Sequence, residues 1–248
     1  MFWIGILLVF LAGCAGKQVA HDDQMSVIPA KLPMSQYAKP GIQYMIDAYD
    51  PWEGFNRRMY NFNYHFDRYL FLPVVKGYEF ITPDYIEDRV SNFFKNVGEL
   101  DNFTNSLFQL KGRATATTLW RFVVNTTVGL LGLYDPATHF GLPRQNEDFG
   151  QTLGHYGMGA GPFLVLPIFG PSSLRDTTGL IFDSAVEYAV TDPSFGDDDD
   201  GIRLGINLLR SIDVRHRTPF RYYRSGSPFE YDLIRKLYLQ QRDILIAK

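Results

Sequence analysis

The residues best equipped for chemistry lie in Gly154-His155-Tyr156-Gly157-Met158-Gly159-Ala160-Gly161, where an imidazole sits in a glycine-rich stretch. A dinucleotide fingerprint cradles phosphates on backbone N–H groups, but it must follow a strand and open a helix. Here an extended, proline-bounded run from Pro162 to Phe169 comes next, and no GxxxxGK[ST] stretch occurs, so nucleotide is not an expected cofactor. A hydrolase would need His155 as base beside a nucleophile. Ser172 and Ser173 follow a Gly-Pro turn without the G-x-S-x-G elbow that presents a serine. His155 is therefore expected to be structural, with the glycines allowing turns or close backbone approach. The five histidines (His21, His65, His139, His155, His216) show no ligand spacing, which predicts no metal site. Asp197 to Asp200 before Gly201 imitates a calcium loop. Aligning Gly201 with the invariant loop glycine, however, places Gly196 and Asn207 where carboxylates are required. An acidic turn capping a helix from Ile202 is the expectation.

A different chemistry is written at the N-terminus. Cys14 is the only cysteine and stands directly behind the apolar run Phe2 to Leu11, in Leu11-Ala12-Gly13-Cys14. That pattern resembles a bacterial lipobox. The run is too short for a membrane span, which takes about 20 apolar residues, and suits a signal-peptide core. Residues 1–13 are thus expected to be a signal peptide cleaved before Cys14, whose thiol is lipidated. The n-region carries no Lys or Arg, which leaves the start codon open. Ala15 in place of an aspartate favours the outer membrane, by resemblance to lipoprotein sorting. Residues 14–41, polar and punctuated by Pro29, Pro33 and Pro40, read as a lipidated flexible tether.

The elements that position these residues read as helices in a single domain spanning 42–248. Asp50-Pro51-Trp52-Glu53 and Ser227-Pro228-Phe229-Glu230 each offer an N-cap, a proline at the first helical position and a glutamate to close a capping box. Thr82-Pro83, Asp135-Pro136, Asp192-Pro193 and Thr218-Pro219 repeat the cap-proline half of that signal. Trp52, Phe55, Met59, Phe62, Phe66 and Leu70 recur at steps of three and four, one greasy face opposite an Asn- and Arg-rich one. Further helical periods fall near 84–96, 99–110, 113–129, 147–156, 174–190, 202–213 and 228–246. Phe93, Phe94, Phe103 and Phe108 are expected in the core. Pro162 to Phe169 is the exception, an extended loop or re-entrant hairpin. The fold class is therefore all-α with one short extended feature. A net charge of -3 without a basic stripe excludes a nucleic-acid footprint. The single cysteine excludes an internal disulfide. Aromatic residues make up 15% of the chain, a content favoured in cores and at membrane interfaces.

Two stretches are similar to signatures of the MlaA (VacJ) family: Asp50-Pro51-Trp52-Glu53-Gly54-Phe55-Asn56-Arg57-Arg58-Met59-Tyr60-Asn61-Phe62-Asn63, and Gly150 to Gly157 continuing through Leu166-Pro167 to Leu174-Arg175-Asp176. Arg224 to Asp243 adds a weaker third block. The resemblance implies an outer-membrane lipoprotein of Gram-negative bacteria, shaped as a helical ring in the inner leaflet around an amphipathic channel. It also implies removal of phospholipids from the outer leaflet, delivery to the periplasmic carrier MlaC, association with trimeric porins, and no enzymatic activity. Asp50, Pro51, Glu53, Phe55, Asn56, Arg57, Gly150, Gly154, His155, Tyr156, Arg175 and Asp176 are then motif residues that build the fold. Asn61, Phe62, Asn63, Gly157, Gly159 and Gly161 are expected near a lipid path or its gate. Helices 52–70 and 113–129 would turn a greasy face outward and Asn, Thr and Arg inward. Two other readings compete: an adaptor tying porins to the envelope, and a periplasmic lipid hydrolase centred on His155 and Ser173.

Overall fold

A computed structural model describes residues 36, 37, 39, 46, 48–191 and 200–248. The expected signal peptide, Cys14, most of the tether, Asp192-Pro193 and Asp197 to Asp199 lie outside the described residues.

Helices account for nearly every regular element, as expected. Helix α1 (Glu53–Phe66) runs through a π-helical turn (Asp67–Phe71) into α2 (Leu72–Ile81), so the chain stays helical beyond the apolar stripe that ends at Leu70. Pro73, in the first turn of α2, has no N–H, and its ring crowds the carbonyl one turn back; a widened turn relieves both. Then follow α3 (Asp84–Val97), α4 (Glu99–Phe108), α5 (Gly112–Thr127), the short α6 (Pro136–His139) and α7 (Phe149–His155). Strands β1 (Phe163–Leu166) and β2 (Gly170–Ser173) precede α8 (Leu174–Thr191), α9 (Asp200–Arg217) and α10 (Glu230–Ala247). The proline-bounded run is thus an antiparallel hairpin, Phe163 opposite Ser173 and Leu166 opposite Gly170.

Helix α4 packs along α5, α7 along α8, and α9 across α2 and α3, while α10 touches α7 and β2, and α1 lies on β1. One apolar cluster sits where α1, β1 and α10 meet: Tyr60, Tyr64, Phe163, Val165, Tyr223 and Tyr231. Its rings meet edge to face, with centroids of Tyr60 and Tyr223 at 5.5 Å and of Tyr60 and Tyr231 at 5.7 Å, the preferred arrangement for aromatic pairs.

Elsewhere the helices are inside out relative to a water-soluble protein. On α1 and its approach, Trp52, Phe55 and Phe62 are exposed, as is Leu70 in the π turn, while Asn56, Asn63 and Asp67 are buried. On α5, Leu119, Trp120 and Val123 face outward and Thr118, Arg121 and Asn125 inward. Among the described residues, buried polar and charged side chains outnumber buried apolar ones. A globular helix in water does the reverse. The core expectation for Phe108 is corrected by the same inversion: it is 42% exposed, because α4 turns Asn102, Asn105 and Ser106 inward; Phe94 alone of that set is buried. No helix among the described residues is long and apolar enough to cross a membrane.

The expected capping boxes are corrected too. Asp135 caps α6 by accepting from the Thr138 N–H, as the Asp-Pro signal predicts. Asp50 and Glu230 do not cap in that way. Trp52 and Phe229 occupy the N-cap positions without a side-chain bond, because the two carboxylates are claimed by buried partners described next.

Candidate functional site

Asn56 and Asn63 are seven residues apart on α1 and therefore share one face. Each carboxamide grips the free edge of β1 and the turn after it. Asn56 donates to the Phe163 carbonyl and accepts from the Val165 N–H, both at 2.9 Å. Asn63 donates to the Leu166 carbonyl at 2.9 Å and accepts from the Ile168 N–H at 2.7 Å. A two-stranded hairpin leaves such an edge row unpaired; here two side chains of a helix take the place of a third strand. The grip extends to the tip, where Ile168 holds φ 69, a left-handed conformation costly for a β-branched residue. Ile168 and Phe169, the tip residues, are 52% and 73% exposed. Of the six residues expected near a lipid path or its gate, three are on α1: Asn63 reaches the hairpin, Asn61 is half-buried, and Phe62 points outward beside Phe66.

Both motif blocks converge on α10 through two buried charge networks. In the first, Asp50 accepts from Asn56 at 2.8 Å, from Arg235 at 3.1 Å and from the Tyr231 hydroxyl. Arg57 pairs with Asp232 at 2.8 Å and with Glu53 at 2.7 Å, its guanidinium lying 4.2 Å over the Tyr231 ring. Glu230 accepts from the Tyr60 hydroxyl at 2.8 Å and from the Tyr223 and Ser225 N–H groups, tying the loop before α10 to the aromatic cluster. Pro51 and Phe55 are exposed and take no part.

In the second network, Arg242 donates to Asp148 at 2.6 and 2.7 Å and to Asp176 at 2.9 Å, and Asp176 also accepts from Tyr238 at 2.8 Å and Arg175 at 3.1 Å. Burial by itself would raise the Asp148 carboxyl, yet the Arg242 guanidinium overrides it and holds the group below its ordinary value. Gly150 makes this possible: a Cβ there would stand 2.6 Å from the Asp176 carboxylate, and one on Gly179 would stand 2.3 Å from the Gly150 backbone. The two helices cross with no room for a side chain.

His155 and Tyr156 are exposed, and the chain leaves α7 through Gly157 at φ 87. Ser173, fully buried, donates to Asp176 at 2.8 Å and accepts its N–H at 3.1 Å, capping α8. Gly159 and Gly161 lie exposed between α7 and β1, the latter at φ 69. No cluster of metal-ligating side chains occurs among the described residues.

The sequence reading overlooked the partners on α10. Tyr231, Arg235, Tyr238 and Arg242 recur at steps of four, three and four, a polar stripe at helical period that was available to find. A third buried group was overlooked as well. Arg121, 2% exposed, joins Glu99 at 2.9 Å and Asp135 at 3.1 Å, and so ties α4, α5 and the cap of α6.

The chain matches the family described as MlaA lipoprotein over residues 48–245. It is 36% identical over 200 residues to a Rickettsia felis protein, covering 80% of this chain and 78% of that one. It is 32% identical over 204 residues to the Escherichia coli K12 protein named "Intermembrane phospholipid transport system lipoprotein MlaA", covering 79% and 78%. Its fold is similar to a solved structure described as "Structural basis for maintenance of bacterial outer membrane lipid asymmetry", with a TM-score of 0.63 and 29% identity over 80% of this chain and all of that one. The family match over residues 48–245, together with relatives such as the Escherichia coli protein at 32% identity over 79% of this chain, places the chain in the MlaA lipoprotein family.

Proposed function

We propose that this protein is an outer-membrane lipoprotein that maintains phospholipid asymmetry, taking mislocalised phospholipids from the outer leaflet and passing them to a soluble periplasmic carrier of the MlaC type. The observation that carries the reading is the inverted burial of α1 and α5, apolar side chains outward and Asn, Thr and Arg inward. A diacyl lipid has on the order of 30 methylenes, and exposing them to water at about 0.8 kcal/mol each would cost ~20 kcal/mol or more. The headgroup has the converse problem, since charge in hydrocarbon costs several kcal/mol. A body with an apolar girdle and a polar interior answers both.

In this reading Cys14 carries the lipid anchor, the body lies in the inner leaflet against a trimeric porin, and the protein is a passive conduit rather than an enzyme. The clamped hairpin and the Gly157, Gly159 and Gly161 segment border the lipid path. Deleting the gene raises outer-leaflet phospholipid, read by surface labelling of aminophospholipids in intact cells, and a plasmid copy restores it. Normal asymmetry in a clean deletion would refute the proposal.

A further inference from the structure

Between the glycine segment and the end of α10 lies a concavity of about 270 Å³. Met158, Ala160 and Ile246 give it apolar walls, and two charged residues border it: Arg175 from the start of α8 and Asp243 from α10. The Arg175 side chain is only 3% exposed. Its Nε donates to Asp176 at 3.1 Å and its Nη1 to the Met158 carbonyl at 3.3 Å, while Nη2 is buried without a partner. Buried polar groups are nearly always bonded, so Arg175, one of the residues lining the concavity, has one guanidinium nitrogen that still lacks an acceptor. Arginine in this state suits an oxyanion, above all a phosphate ester. Asp243 is exposed, and the ion pair of Arg175 goes to Asp176 instead.

Resting on the lipid-transport reading, we propose that this pocket receives the headgroup of a zwitterionic phospholipid, the phosphodiester on Arg175 and the ammonium on Asp243. The charges of the pocket match those of the headgroup in sign and number. Met158 and Ile246 would meet the glycerol and the first methylenes. The volume falls below the roughly 300–1,000 Å³ of sites that enclose a drug-sized ligand, so the pocket holds one end of a lipid and leaves the chains outside. Inorganic phosphate would leave the apolar walls unmatched and would face the Asp243 carboxylate.

The test is calorimetric titration of the full chain in detergent with dihexanoyl phosphatidylethanolamine, dihexanoyl phosphatidylglycerol and inorganic phosphate. The ethanolamine lipid binds tighter than the glycerol lipid by about two- to five-fold, the range an exposed ion pair supplies, and Asp243→Asn removes that difference. Gly159 lies outside the left-handed region and a Cβ there meets nothing within 4 Å, so Gly159→Leu folds normally and, by filling the pocket, weakens both lipids about ten-fold. Equal affinity for the two lipids, a preference that survives Asp243→Asn, or phosphate that binds as well as lipid would overturn the proposal. Binding with the stated preference, in a protein whose deletion leaves leaflet asymmetry normal, would keep the pocket and remove the transport reading. Disturbed asymmetry without headgroup preference would remove the pocket alone.

Discussion

At the level of single residues, the most informative side chain is Asn63. Its carboxamide supplies one donor and one acceptor to the hairpin turn and thereby holds Ile168 at positive φ. Asn63→Leu keeps the volume and removes both bonds, leaving the Leu166 carbonyl and the Ile168 N–H unmatched. The expected loss is about 1–3 kcal/mol of stability in detergent, with faster amide exchange at Ile168 than at Val165, which Asn56 still holds. Unchanged exchange at Ile168 would show that the turn is held by something else. Asp101 makes the opposite case. Burial, then the charges of Glu187 and Asp183, push its carboxyl up from 3.8 to about 7. An acid whose folded value is raised loses stability as pH climbs from its unfolded value to its folded one, here from about 4 to about 7. Asp101→Asn should therefore stabilise the protein at pH 8 by on the order of 1 kcal/mol, discounted for partial exposure, and confer no gain at pH 4. Melting curves of the two proteins at both pH values decide it.

For the elements, the consequence of inverted burial is directional. On a water-soluble helix, replacing an exposed apolar residue by glutamate changes stability by about 0.5 kcal/mol or less. On α5, Trp120 and Val123 face outward at 59% and 38% exposure, and in the proposed setting they meet acyl chains. Trp120→Glu with Val123→Glu should leave the detergent-solubilised fold intact, because neither residue supports Arg121 or Asn125 inside. It should weaken co-flotation with phospholipid vesicles, as each charge moved toward hydrocarbon costs about 2 kcal/mol or more. Vesicle binding equal to the unsubstituted protein would mean that this face does not meet lipid. The α1 helix carries the same logic with an added constraint: its inner face must also keep the seven-residue spacing of Asn56 and Asn63, so insertions or deletions between them break the clamp even where the outer stripe survives.

Across the whole molecule, α10 joins the parts. Arg235 and Asp232 bind the first motif block, Arg242 and Tyr238 the second. Both networks are buried ion pairs, which stabilise little when complete but are costly to break, since one partner leaves an uncompensated charge of about 3–5 kcal/mol. Anchoring is a separate matter. In the proposed setting the exposed apolar surface would give the body its own affinity for a bilayer, and the lipid proposed on Cys14 would then fix depth and membrane rather than supply all attachment. Cys14→Ala should leave a protein that still binds vesicles in vitro yet fails to restore asymmetry in a deletion strain. A Cys14→Ala protein that stays in solution without detergent would show that the anchor does all the work.

Local pattern determined most of the secondary structure: the three-and-four spacing of apolar residues, the Asp135-Pro136 cap and the proline-bounded extended run were legible because each is set within a few residues of chain. The greasy stripe of α1 was equally legible as a stripe. Periodicity does not say which way it faces, since it fixes a face and not the solvent that the face meets; the family resemblance implied an outward greasy face, and the burial of Asn56 and Asn63 opposite Phe55 and Phe62 agrees with it. Asp50 and Glu230 read as helix caps because their neighbours fit a capping box. The tertiary structure reassigned both, since Tyr231, Arg235 and Tyr60 come from segments far away in sequence and compete for the same carboxylate oxygens. Local rules determine which elements form, whereas the partner of a buried charge is decided by whichever distant group the fold brings within hydrogen-bond reach.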